Sequence, residues 1–431
     1  MRRVLMLLVG VLGLASVAVA SGATQAQSRW VITDLGTLGA LGPLSARESH
    51  AVDINDRGQI VGDADARARS GNQIWHAFLW QNGKMHDLGA VPGKPRSHAV
   101  GVNERGQVLV VAQAATEDKD GWTPSRAYLW ESGKTRDLGT PSGKSSVGLA
   151  INERGQIIGC VGRVGGYPDS CFTGRSFAWE RGRTTYLGTL GGAAAEAVAI
   201  NDHGQVVGAA GHAFLWEGGR LRDLGTLGGK KSGATGISES GQIIGWSETG
   251  AINRVRDDYD RYGAPISRAF LWQRGKLRDL GAFGGPDSQA VAVNRLGQVV
   301  GWAETRTMAG ADRHIGDTCG DMKYSHPAPH AFLWAKGQLV NLGSLGGLES
   351  EAAAVNAKGQ VVGWADTRAK DASDCPVGHA FLWEKGKMTD LGTLRGGKQS
   401  EAVAINDHGQ VIGWSETASG AKHAVLWTLT R

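Results

Sequence analysis

The chain is 431 residues long and carries 46 Lys and Arg against 41 Asp and Glu, a formal charge of +5. The two signs are interspersed with no basic stripe, which argues against a nucleic-acid-binding surface. Its 66 glycines argue against a helical protein, since Gly inside a helix costs about 1 kcal/mol relative to Ala.

The first element is a leader. Arg2 and Arg3 precede an apolar run from Val4 to Ala20, and small and polar residues follow. That is the layout of a secretory signal peptide, with cleavage expected after residue 20 or 26. Residues 1–26 are read as the signal peptide and 27–431 as one domain, secreted or periplasmic in a bacterium. No later segment is apolar enough to span a bilayer. The four cysteines, Cys160, Cys171, Cys319 and Cys375, are an even set in an exported chain and point to disulfides.

After the leader comes "RWVITDLGTLG" (Arg29 to Gly39), and then one sentence repeated to the end. An "IN-x-x-GQ" landmark runs from Asn55 to Asn406, with Ser238 in place of Asn in the fifth copy. "HAFLW" and its variants end at Trp80 in the first copy and Trp427 in the last; "DLG" and its variants end at Gly36 and finally Gly392. Each landmark occurs eight times. Within a repeat, "AVAIN" and "QVIGW" flank the turn "DHG", and "HAFLW" and "KMTDLG" flank the turn "EKG". The runs are short and rich in β-branched and aromatic residues, so each repeat reads as four antiparallel strands. Both turns are expected to be type I with a Gly bulge.

Four strands in about 50 residues is the size of one propeller blade. The last repeat stops at "HAVLWTLTR" and lacks a fourth strand, while "RWVITDLG" is a fourth strand with no repeat before it. Joining them completes the eighth blade, whereas an open stack would need capping repeats. The expected fold is therefore all-β: an eight-bladed β-propeller of four-stranded blades, closed by the N-terminal strand. "AVAIN" is placed innermost and "DLG" outermost. The tight turns then share one face. The "GTLGG" crossings and the connections between second and third strands share the other.

On these repeated residues the chain resembles the HAF family of bacterial extracellular repeat proteins, named for the His-Ala-Phe of "HAFLW". The resemblance covers all eight repeats and implies export and a repeat architecture; it implies no substrate. Three repeats depart from the name, with Arg126, Arg175 and Arg268 at the His position.

Chemistry has to be sought against this background. The His/Arg position needs N–H donors rather than metal ligands, because Arg does not ligate. A structural hydrogen bond to the aspartates of the outer strand is the reading. Twelve tryptophans repeat with the blades and belong to the core, whereas Trp75 and Trp122 fall in variable connections. "GTLRGGKQ" (Gly392 to Gln399) only approximates a phosphate loop and opens no helix. His314, Asp317, Asp321 and His326 are ligand types whose spacing matches no metal site, so a polar loop is expected. No metal, cofactor or nucleophile–base signature is found.

The connections between second and third strands vary most, from three residues (Ala209 to Gly211) to 27 (Ala303 to Pro329). A rigid ring with variable loops on one face is how propellers make binding sites. The leading expectation is a monomeric, non-enzymatic binding scaffold for a glycan, peptide or surface protein, with Trp75, Trp122, Tyr259, Tyr262 and Tyr324 as anchors. The alternative is a polysaccharide-acting hydrolase or lyase using the same face. Cys160 is expected to pair with Cys171 inside one connection, and Cys319 with Cys375 across two blades.

Overall fold

Eight times over, the repeat folds as a four-stranded antiparallel sheet, each strand hydrogen-bonded to the next in sequence. The computed structural model describes residues 29–39, 47–67, 73–89, 91, 93–116, 123–139, 145–162, 174–254, 263–309, 326–372 and 374–430. Blade 1 comprises Ser49–Ile54, Ile60–Arg67, Gln73–Gln81 and Lys84–Asp87. Blade 2 comprises Arg96–Val102, Val108–Gln113, Ser125–Glu131 and Lys134–Asp137. Blades 3 to 7 follow in order over 146–186, 196–223, 228–281, 284–343 and 346–390. Blade 8 takes Ser400–Ile405, Val411–Glu416 and Lys422–Thr430 from the C-terminal end, and its outer strand is Arg29–Asp34. That strand pairs antiparallel from Arg29 opposite Thr430 to Asp34 opposite Val425, so the ring closes as the sequence implies.

Apolar side chains pack between blades rather than within them. Ile60 and Phe78 of blade 1 share a cluster with Ile412, Ala424 and Leu426 of blade 8. The Phe of "HAFLW" is fully buried in six blades, at Phe78, Phe177, Phe214, Phe270, Phe332 and Phe381. Burying such a ring is worth about 1.5–3 kcal/mol, and each blade gains it only by meeting its neighbour. Outer-strand arginines add to the junctions, with Arg136 over Trp179, Arg222 over Trp272 and Arg278 over Trp334, each about 5 Å from the ring.

The glycine of "QVIGW" has a definite cause. Every inner strand carries a bulge, as between Ala51 and Asp53, which pushes a carbonyl toward the second strand. A Cβ on Gly62 would lie 1.9 Å from the His50 carbonyl oxygen, and one on Gly413 would lie 1.9 Å from that of Glu401. Gly is therefore the residue in seven blades, and blade 2 alone carries a side chain there, Val110 opposite Ala99.

The two turns differ from each other. The "DHG" turn has the expected three-residue form, with Asn406 accepting from the Gly409 N–H. The "EKG" turn does not. Lys385 and Gly386 both have positive φ, at 51° and 84°, and Asn82 and Gly83 match them. Two left-handed residues between paired strands make a type I′ turn, whose twist suits a two-residue hairpin. In blades 5 to 7 the second and third strands also run further than their sequence pattern indicates, to Val299–Ala309 and His326–Ala335 in blade 6. Part of each long connection is therefore strand.

Candidate functional site

The tight-turn face is occupied by its own hydrogen bonds. In each turn the Asn side chain folds inward; Asn152 Oδ1 accepts from the N–H groups of Arg154 and Gln156, while Nδ2 donates to Gln156 Oε1. The same Nδ2 donates to the carbonyl of Asn201 in the next blade, at 2.9 Å. Asn55, Asn103, Asn201, Asn294, Asn356 and Asn406 do likewise, and Asn406 reaches Asn55 across the closure. The belt is interrupted once. Ser238 bonds within its own turn, and Thr235 Oγ1 donates to the Ala290 carbonyl instead, at 2.7 Å. Beside this belt runs a second one of carboxylates: Glu104, Glu153 and Asp202 each accept the N–H of the preceding blade's turn. Burial first, and then Glu104 and Asp202 beside it, push the Glu153 carboxyl above its ordinary pKa.

On the loop face the His of "HAFLW" is also structural, as its alternation with Arg implies. His76, His212 and His379 hold Asp87, Asp223 and Asp390 through Nδ1 at 2.9–3.1 Å, and Arg126 holds Asp137. His423 holds Asp34 in the same way, which fastens the N-terminal strand. The other ring nitrogen meets a crossing carbonyl, Pro95 for His76 and Lys398 for His379. A further acid, two residues after the second-strand Trp, organises the crossing: Glu416 accepts from the N–H groups of Lys398 and Gln399, and Glu248 from Lys230 and Lys231. This role was not read from the sequence, although the "WSET" and "WADT" repetition signals it.

Between blades 1 and 2 the loop face holds a group that the repeat does not explain. His50 lies on the inner strand of blade 1, Asp63 on its second strand and His98 on the inner strand of blade 2. Both imidazoles turn Nδ1 toward Asp63 Oδ2, at 3.8 Å and 3.7 Å. Trp75, on the third strand, stacks on His50 with ring centres 5.2 Å apart and planes 9° from parallel. Asp63 is largely buried, which raises its carboxyl, but the two imidazoles more than offset this and hold it below its ordinary pKa. At the inner-strand position, blades 3 to 8 carry Val147, Glu196, Gly233, Gln289, Glu351 and Glu401. At the Asp63 position every other blade carries an apolar residue: Val111, Cys160, Ala209 or a Trp. The fold therefore requires neither the two His nor the Asp. Aligning the repeats column by column and seeking polar departures would have found them.

Of the five expected anchors, Trp75 is thus placed in a strand and against a polar group. Trp122, Tyr259, Tyr262 and Tyr324 lie outside the described residues, as do His314, Asp317 and Asp321. His326 begins the third strand of blade 6, where its Nε2 meets buried Glu349 at 2.9 Å. Glu349, Asp366, Arg368 and Leu348 line a pocket of about 400 Å³ on this face of blade 7. Cys160 and Cys375 are not free thiols, but Cys171 and Cys319 lie outside the described residues, so no disulfide is described with both of its sulfurs. Among the described residues no three His, Cys, Asp or Glu are grouped to hold a metal, and no helix is long and apolar enough to cross a membrane.

No protein-family model matches the chain, and no curated protein matches it. Solved structures with a similar fold include the β-propeller domain of the trilobed protease from Pyrococcus furiosus, at 7% identity and a TM-score of 0.46, covering 89% of this chain and 95% of that one. An acylaminoacyl peptidase from Pyrococcus horikoshii matches at 9% identity and 0.44, over 85% of this chain and 58% of that one. A puromycin hydrolase matches at 12% and 0.41, over 76% of this chain and 51% of that one. The chain thus spans little more than half the length of the last two. At these values the likeness is one of fold. The expectation of a non-enzymatic scaffold finds no support in it, since the structures with this fold include peptidases and a hydrolase.

Proposed function

We propose that the protein is an extracytoplasmic enzyme that cleaves a polysaccharide, as a hydrolase or a lyase, from the loop face of its propeller. The signal-peptide layout and the HAF resemblance support the compartment. One observation supports the site. On the tight-turn face the Asn and acidic side chains are engaged in the two belts, whereas His50, Asp63 and His98 stand on the loop face with no part in the repeat. Two imidazoles facing one carboxylate are groups that can take up and give up protons. Trp122, Tyr259, Tyr262 and Tyr324, which the sequence puts in variable connections, are proposed to hold the polymer, since an aromatic ring in a polar connection is costly unless it packs or binds.

The test is a panel of neutral and acidic polysaccharides incubated with the purified mature chain, with new reducing ends counted. Cleavage of at least one polymer is expected, and substitutions on the tight-turn face that leave the fold intact should not alter it. A protein that binds a polymer without ever cutting one would sink this reading.

A further inference from the structure

Hydrolase and lyase demand different side chains, and the group between blades 1 and 2 separates them. Glycoside hydrolysis passes through an oxocarbenium-like transition state flanked by two carboxyl groups. Among the described residues one carboxylate, Asp63, faces the two imidazoles, and both already share it. Elimination needs something else: a base for a carbon-bound proton and an acid for the departing oxygen. Two imidazoles suit both tasks, because an imidazole accepts a proton and an imidazolium donates one.

We propose that His50 and His98 are the acid–base pair of a lyase, and that its substrate is a polysaccharide containing uronic acid. The proposal rests on the loop-face reading above and chooses between its two reactions. One imidazole, neutral, takes the proton from C5 of a uronate ring, which is acidic because a carboxyl group is attached to that carbon. The C5–H electron pair becomes the C4=C5 double bond, and the C4–O4 bond breaks. The departing O4 takes a proton from the second ring, an imidazolium. One product ends in an unsaturated uronate and the other in a hydroxyl, and no water or redox partner is consumed. The two rings have then exchanged protonation states, and proton exchange with solvent resets them.

The geometry fits these roles. Both rings present Nδ1 to Asp63, and neither Nε2 makes a hydrogen bond to a described residue, so both remain for substrate. Asp63 stays ionised and stabilises whichever ring carries the proton. The side chains of His50 and His98 are 39% and 18% exposed, open enough for a sugar ring to reach. Trp75 stacks flat on His50 and fixes its plane, which makes it a positioning residue.

The experiment uses the mature chain with polygalacturonate, alginate and chondroitin sulfate, and with dextran as the neutral control. Two signals are followed: ultraviolet absorbance of the new double bond, and reducing ends. Both should rise together on at least one polyuronate and neither on dextran. His50→Gln and His98→Gln should each lower the rate by roughly 10²- to 10⁴-fold with an unchanged melting temperature. Should either variant unfold, Trp75→Phe serves instead, with a lowered kcat at unchanged affinity. Reducing ends without ultraviolet absorbance would overturn the lyase proposal and leave the loop-face enzyme standing. So would cleavage of dextran alone, or a fully active and folded His50→Gln/His98→Gln double variant. No cleavage of any polymer would remove both.

Discussion

Replacing Asn152 by Ala should weaken the ring at one junction by an amount that can be worked out. The side chain makes four hydrogen bonds: two accepted within its turn, at 3.1 and 2.9 Å, and two donated, to Gln156 at 2.7 Å and to Asn201 of the next blade at 2.9 Å. A typical hydrogen bond contributes about 0.5–1.5 kcal/mol net, and a buried group left unsatisfied costs about 1–3 kcal/mol. The turn N–H groups regain water in the variant, whereas the inter-blade link lies in the buried belt. The loss should therefore be about 2–4 kcal/mol. The fifth repeat supplies the control. Ser238 makes no link to blade 6, so Ser238→Ala should cost clearly less, about 1 kcal/mol. Thr235→Val should cost about as much, because Thr235 carries that junction's side-chain bond. Urea denaturation of the three variants, with midpoints compared at constant slope, is the assay. If Asn152→Ala is no worse than Ser238→Ala, the inter-blade link contributes nothing and the belt is incidental.

Deleting residues 29–39 should remove the outer strand of blade 8, strip His423 of Asp34 and expose the Lys422–Thr430 edge. Several kcal/mol of stability, or aggregation, is expected from an open edge, and an unchanged melting temperature would refute the closure. The same ion pair predicts a pH window. Asp34 holds His423 above its ordinary pKa, so that contribution is complete below about pH 6.5 and is lost as the pH rises through the raised value. Burial pushes Asp34 up, but His423 and the Gly36 N–H outweigh it, so its contribution is present above about pH 3.8 and is lost as the pH falls through the lowered value. Melting temperature should plateau between those limits, and Asp34→Asn should flatten both flanks; identical profiles would rule the pair out as a source of pH dependence. Finally, Trp75→Ala should leave the melting temperature nearly intact and lower activity. Trp427→Ala, at a fully buried ring, should cost about 3–5 kcal/mol. Equal destabilisation by the two would show Trp75 to be core.

The sequence by itself determined the number of blades, the strand order and the closure, because each is carried by a period and by the way the two chain ends complement each other. It also determined that the "HAFLW" His is structural, since Arg takes its place and an acid recurs eleven residues later. Tertiary structure decided what depends on neighbours far along the chain. The Asn belt joins residues 37 to 62 positions apart, and 351 at the closure, so no local pattern reveals it. The "EKG" turn took the I′ form because strand twist, not Gly alone, selects it. His50, Asp63 and His98 are unremarkable singly; they meet because a bulged inner strand and the next blade's inner strand face one second-strand carboxylate. Periodicity reports what every blade shares, whereas chemistry sits where one blade differs and its neighbour answers.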